Sequence, residues 1–270
     1  LKKGPKAVLH AYQLYDDIGR LQYLLYRYPQ LQRDVDLRNQ SISGRFQKVQ
    51  AAFAKFDTAN AWFTPELLSV SEKKMRRWID KSPDLAPYRY PILEAYRQKE
   101  HVLDEAGEKL LSYSSRFSST PRSIYQELST SDIQFPEVTL SSGETLKMTS
   151  GAYRRTLETA REQSDRKAAF EAHYGTYAKT KNTYAAIYNG VLQRDWFSAQ
   201  ARGYSNTLSA ALDNDAVPVE VFQNLVKAVR EGTAPLKKYH ELRQKILKLD
   251  EYHGYDGSIP LVEVDVAYPY

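Results

Sequence analysis

The sequence contains no cysteine. That excludes disulfides, thiol catalysis and cysteine-ligated zinc together, and fits a reducing, cytoplasmic compartment. No apolar run approaches the ~20 residues needed to cross a bilayer, so no membrane partner is expected. Behind the basic start Leu1-Lys-Lys-Gly-Pro there is no apolar stretch, and the segment does not read as a secretory signal. The 12 glycines are scattered, without a phosphate-cradling loop or a Gly-x-Ser-x-Gly elbow. Basic residues outnumber acidic ones 38 to 33, but no dense basic run exists. The richest stretch, Lys73-Lys74-Met75-Arg76-Arg77, is spaced like a solvated helix face, so no nucleic-acid partner is expected.

Histidine is also scarce: His10, His101, His173, His240 and His253 are the whole supply. A zinc peptidase helix needs His-Glu-x-x-His, because residues four apart share a face and grip one ion, with the glutamate placed to activate water. His240-Glu241-Leu242-Arg243-Gln244 supplies the first two groups, but Gln244 stands where the second ligand belongs. A glutamine amide is a poor zinc ligand, so this turn reads as a solvated helix surface. His101 has Asp104 and Glu105 within one turn, a spacing that reads first as surface electrostatics. Asp16-Asp17 and Asp213/Asp215 read as helix-face or cap carboxylates. No metal or catalytic residue is expected from these patterns.

What is present is helical periodicity. Val8, Leu9, Tyr12, Tyr15, Ile18, Leu21, Leu24 and Leu25 recur at spacings of three and four, predicting a helix over 6–28 that ends at Tyr28-Pro29. Ile42, Phe46, Val49, Phe53 and Phe56 predict a second helix within 31–60, antiparallel to the first. Thr64-Pro65-Glu66 reads as a capped helix start. A helix is expected from about Ile92 through Leu111, then a Ser-rich connector to Pro121 and a short helix near 124–128. The pattern then alternates around Ser141-Ser142-Gly143, predicting a β-hairpin at about 137–148 lying on the helices. Thr149-Ser150 caps a further helix, Ser164-Asp165 starts a long one reaching Val191, and Pro218 and Glu220 open another that Gly232 and Pro235 punctuate before Leu236–Leu249 resumes. The tail, 259–270, is apolar-alternating and reads as an extended strand in search of a partner. Tyrosine is abundant, at 21 residues, which suits helix contacts with wet edges.

Several segments, in order, resemble the oligoendopeptidase F group, relatives of thimet oligopeptidase. They are Phe63-Thr-Pro-Glu-Leu-Leu, Arg97-Gln-Lys-Glu-His101-Val-Leu-Asp with Glu108-Lys-Leu-Leu, and Ser131-Asp-Ile-Gln-Phe-Pro-Glu-Val. Then follow Met148-Thr-Ser-Gly-Ala-Tyr153, Ser164-Asp-Arg-Lys-Ala-Ala-Phe, Arg202-Gly-Tyr-Ser-Asn-Thr-Leu, Pro218-Val-Glu-Val-Phe and Tyr255-Asp-Gly-Ser-Ile-Pro-Leu. The resemblance implies a mainly α fold, with long antiparallel helices forming a lobe of a channel-type peptidase. It implies an N-terminal helical domain at 1–160, hairpin included, and the beginning of a peptidase domain at 161–270. It further implies zinc in the intact enzyme and short peptides as substrates, admitted by size. The family's zinc residues follow the Tyr255–Leu261 type of segment, so none is carried onto this chain and none of its residues is expected to bind the metal. The expected partner is therefore a missing C-terminal catalytic half, with the chain trimmed at both ends and inactive alone. Arg202 and Tyr204 are the candidate substrate-binding residues of the channel wall. The rival reading is a stand-alone helical binding module offering a basic surface to an acidic partner.

Overall fold

A computed structural model of the chain describes residues 1–262. They are mostly helical, with one two-stranded antiparallel hairpin. Packing gathers the chain into two compact units, one formed by residues 1–131 with 187–218, the other by 132–186 with the segment from Val219 onward.

In the first unit, α1 (Pro5–Val35) and α2 (Gln40–Ala59) pair antiparallel, as the contacts Tyr15–Phe56 and Tyr26–Phe46 require. The break lies at 36–39, not at the expected Tyr28-Pro29. Pro29 is buried inside α1, where a proline costs about 3 kcal/mol through its missing N–H. Tertiary contacts beyond it hold the helix on course: Arg33 pairs with Glu127 at 2.6 Å and lies over the Phe46 ring. Asn39 begins α2 by accepting a hydrogen bond from Ile42 N–H.

The helices α3 (Phe63–Leu68), α4 (Glu72–Lys81) and α5 (Arg89–Arg97) surround the core, with a 3₁₀ stretch at Pro83–Tyr88. The core comprises Val8, Leu67, Leu68, Val70, Met75, Ile79, Leu85, Ile92 and Tyr96. Tyr96 donates its hydroxyl to the carbonyls of Leu67 and Val70, so its one polar atom is satisfied there; burial pushes its pKa up to about 12. Thr64 caps nothing: it lies inside α3, which starts at Phe63 without a side-chain cap.

The expected helix over 92–111 is two helices. After a 3₁₀ turn at Lys99–His101, Val102 is extended, and Asp104 starts α6 (Glu105–Ser112) by accepting from Gly107 N–H at 2.8 Å. Glu108 reaches back to Leu103 N–H at 3.0 Å. These local acceptors outcompete continuation of the helix. The short α7 (Ser115–Ser118) and α8 (Thr120–Gln126) complete the connector.

In the second unit, β1 (Glu137–Thr139) pairs with β2 (Thr145–Lys147), with Val138 opposite Leu146, as the alternation required. Gly143 takes the left-handed conformation of the turn, at φ 87°. Thr149 caps α9 (Ser150–Thr159) by accepting from Ala152 N–H. The long helix expected from Ser164 to Val191 is divided near Lys179 into α10 (Gln163–Ala178) and α11 (Lys181–Ala201), the second of which runs on into the first unit. Asp165 serves the hairpin instead of capping: its carboxylate accepts from Ser141 N–H at 2.9 Å and Ser141 O–H at 2.6 Å. His173 of α10 is buried between the parallel rings of Tyr153 and Phe135.

The remaining helices are α12 (Thr207–Asp213), which belongs to the first unit, α13 (Val219–Glu231) and α14 (Ala234–Leu247). A 3₁₀ turn at Gly254–Asp256 follows. Most of the strand expected at 259–270 lies outside the described residues.

Candidate functional site

Within the first unit a cavity of about 590 Å³ opens between the α1–α2 pair, the α5–α6 connector and the end of α11. Its position follows from how α11 stops. Gly203 takes φ 70°, Gly203 N–H donates to Gln200 O, and Tyr204 N–H donates to Ala199 O at 2.9 Å. This double closure by a left-handed glycine folds the chain back, so Arg202 and Tyr204 both face the cavity.

Arg202 grips Glu108 with two parallel bonds, Nη1 to Oε1 at 2.9 Å and Nη2 to Oε2 at 3.0 Å. Nη1 also donates to the His101 carbonyl at 3.0 Å, and His101 Nδ1 donates to the Arg202 carbonyl at 2.8 Å. The two residues thus exchange side chain for backbone. The His101 ring stacks on Tyr204 with centroids 3.5 Å apart. Tyr204 donates its hydroxyl to Asp213 Oδ2 at 2.7 Å, and Asp213 takes Arg97 on its other oxygen. Burial, then the bond to Asp213, pushes the Tyr204 phenol up to about 12, while the Arg97 hydrogen bond holds Asp213 below the usual carboxylate range.

The structure therefore brings Arg202 and Tyr204 together with three residues that the sequence patterns did not join to them. His101 is the ring under Tyr204, Glu108 is the counter-ion of Arg202, and Asp213, read as a helix-face carboxylate, anchors Tyr204. Only the family segments around His101, Glu108 and Arg202 hinted at this, since the contacts span about 100 positions of sequence. The Asp104 neighbour of His101 is committed to capping α6. Asp57 of α2 also lines the cavity, near enough to Tyr15 to act on its phenol; desolvation raises the Asp57 carboxyl above the ordinary range.

The second unit contains a different kind of cluster. Arg166 and Asp256 form a fully buried ion pair at 2.7 Å, and Gln163 and the His253 N–H satisfy the second carboxylate oxygen. Arg243 donates to the Asp256 and Ile259 carbonyls, tying α14 to the same turn. Both Asp256 carboxylate oxygens and the terminal nitrogens of Arg166 and Arg243 are engaged within the protein, so the cluster fastens the 251–260 segment to α10 and α14.

The described residues do not suit a zinc ion. Among the described residues no three His, Asp or Glu side chains gather in a metal-binding group. His240 and Glu241 are exposed on α14, and Gln244 donates its amide to the Leu249 and Asp250 carbonyls, closing the end of that helix.

Two family models match the chain. The first, described as Oligopeptidase F, matches residues 66–135, and the second, Peptidase family M3, matches residues 156–258. Oligopeptidase PepF of Bacillus subtilis is 33% identical over 258 residues, covering 96% of this chain and 38% of that protein. Group B oligopeptidase PepB of Streptococcus agalactiae is 30% identical, covering 94% of this chain and 42% of its own length. The crystal structure of oligoendopeptidase-F from Enterococcus faecium superposes with a TM-score of 0.88 at 28% identity, over 97% of this chain and 52% of that one. The chain thus spans about two fifths of the length of these relatives.

Proposed function

Because this chain belongs to the oligoendopeptidase F group of the M3 peptidases, as the front part of the family sequence, we propose that it forms the substrate-facing wall of a zinc-dependent endopeptidase acting on short peptides. The observation that carries this reading is the first unit's cavity, walled by a closed charge network from segments of family type. The zinc would be held by residues of the intact protein other than those described, and no catalytic step is assigned to this chain. The family division we adopt is 1–160 for the N-terminal domain and 161–270 for the start of the peptidase domain.

In this reading Arg202 and Tyr204 act on substrate mainly by shape. The Arg202 guanidinium is committed to Glu108 and His101, and the Tyr204 hydroxyl to Asp213, so these polar groups hold the wall in place. The wall excludes large substrates by its rigidity, and the lining side chains meet the peptide.

The direct test is a peptidase assay on the 270-residue chain and on a full-length protein of the family that contains it, each with and without zinc. The expected result is chelator-sensitive cleavage of short peptides by the long protein alone. Metal-dependent cleavage by the short chain would overturn the assignment of the zinc to other residues. A long protein that cleaves nothing would overturn the peptidase reading itself.

A further inference from the structure

Most polar groups around the first unit's cavity already have partners. Asn60 donates its amide to the Phe56 carbonyl, and Ser112 and Ser114 donate to the carbonyls of Lys109 and Leu111. Glu108 holds Arg202, His101 exchanges bonds with Arg202, and Tyr204 holds Asp213. Asp57 differs from all of these. It lines the cavity from α2, and among the described residues no group donates to its carboxylate and no cation pairs with it. Of the charged residues of the lining, Glu108 and Arg202 neutralise each other, which leaves Asp57 as an uncompensated negative charge. Beside it stand Tyr15 and Phe56, whose rings meet edge to face at 6.0 Å, and the lining continues with Leu111 and Phe197.

A carboxylate next to aromatic faces is the arrangement that holds an organic cation: the charge takes a charge-assisted hydrogen bond, and the rings attract the cation and cover its stem. We propose that this cavity binds a primary ammonium or guanidinium group on a short aliphatic stem, with the charge at Asp57 and the stem against Tyr15 and Phe56. The inference rests on the reading of this cavity as a peptide-facing surface, and it names the substrate class as peptides with a basic side chain. A free alkyl amine carries the same chemistry, so the test separates the two sources. Desolvation penalises the ionised Asp57 carboxylate, and the same charge adds to the rise in the Tyr15 pKa, second to that ring's own burial. Asp57 is exposed, so its carboxylate is open to a ligand from the cavity.

Binding to the 270-residue chain is to be titrated by NMR with three probes: acetyl-Ala-Lys-Ala-amide, acetyl-Ala-Gln-Ala-amide and butylamine. The proteins are the natural chain, Asp57→Asn and Asp57→Glu. The expected result is that the lysine peptide binds about five-fold more tightly than the glutamine peptide, the scale of an exposed ion pair. Asp57→Asn should abolish that preference, Asp57→Glu should retain part of it, and the melting temperature of Asp57→Asn should equal or exceed that of the natural chain. Equal binding of both peptides would overturn the amine preference while leaving the peptide surface standing. Asp57-dependent binding of butylamine without peptide binding would overturn the peptide source, and no binding of any probe would overturn both readings. A preference that survives Asp57→Asn would overturn the placement of the charge.

Discussion

Glu108 receives both terminal nitrogens of Arg202 and, on the same carboxylate, the backbone N–H of Leu103. Arg202→Lys keeps the charge but loses the planar fork and the second bond. It is expected to lower stability by about 1 kcal/mol and to speed hydrogen exchange at 99–104, the segment that Arg202 holds through the His101 carbonyl. Asp213 sets a pH dependence. Its folded pKa is depressed, so its contribution is present above the unfolded value near 3.9 and is lost as pH falls through the folded value. Asp213→Asn should therefore flatten the acid limb of a stability–pH curve below about pH 4, measured by urea unfolding. Asp256 is a stronger case, because its ion pair with Arg166 is fully buried. Asp256→Ala leaves a buried guanidinium unpaired and should cost about 3–5 kcal/mol, while replacing both partners with apolar residues should cost far less. Thermal melts of the two variants check the contrast.

At the scale of elements, local chemistry was readable and long-range compensation was not. The hairpin, the Thr149 cap and the proline-led starts of α13 and α14 each rest on signals within a few residues, and each was legible in the sequence. Pro29 was misleading because the contacts that keep α1 helical come from Glu127 and Phe46. The break between α5 and α6 was hidden because Ile92 to Leu111 keeps a helical apolar pattern, while Asp104 and Glu108 cap from within it. Gly107 marks that break in retrospect. A Cβ there would meet Leu103 Cβ at 2.8 Å, so Gly107→Ala should push Leu103 away and weaken the Asp104 cap. We expect a loss of about 1–3 kcal/mol by chemical denaturation, although alanine is the better helix former. The candidate site divides the same way. Arg202 and Tyr204 could be picked out through the family resemblance, but Glu108 and Asp213 became their partners only in three dimensions.

At the scale of the whole molecule, one helix of the second unit leaves an apolar face uncovered. No residue of α13 is buried, and Val221, Phe222, Leu225, Val226 and Val229 are all exposed along it. Leu236, Tyr239, Leu242 and Ile246 are exposed on α14 as well. Contiguous apolar faces of this kind drive association in water. The 270-residue chain is expected to self-associate with rising concentration, and Leu225→Glu with Val229→Lys should reduce it. Sedimentation showing a monomer at high concentration would count against this.

The interleaving of the two compact units has a consequence for synthesis. The wall around the cavity needs Arg202 beside Glu108, yet 94 positions separate them and the whole of residues 132–186 must be made in between. Once Ser131 is made, residues 132–202 remain to be added, at ribosomal speeds a wait of roughly 4 to 14 s during which residues 1–131 stand without their closing segment. The nascent chain therefore exposes the α1–α2 face and the α5–α6 connector long after its local helices have formed. That interval is when a chaperone would bind it, and when a slowed ribosome would cost the most folded protein.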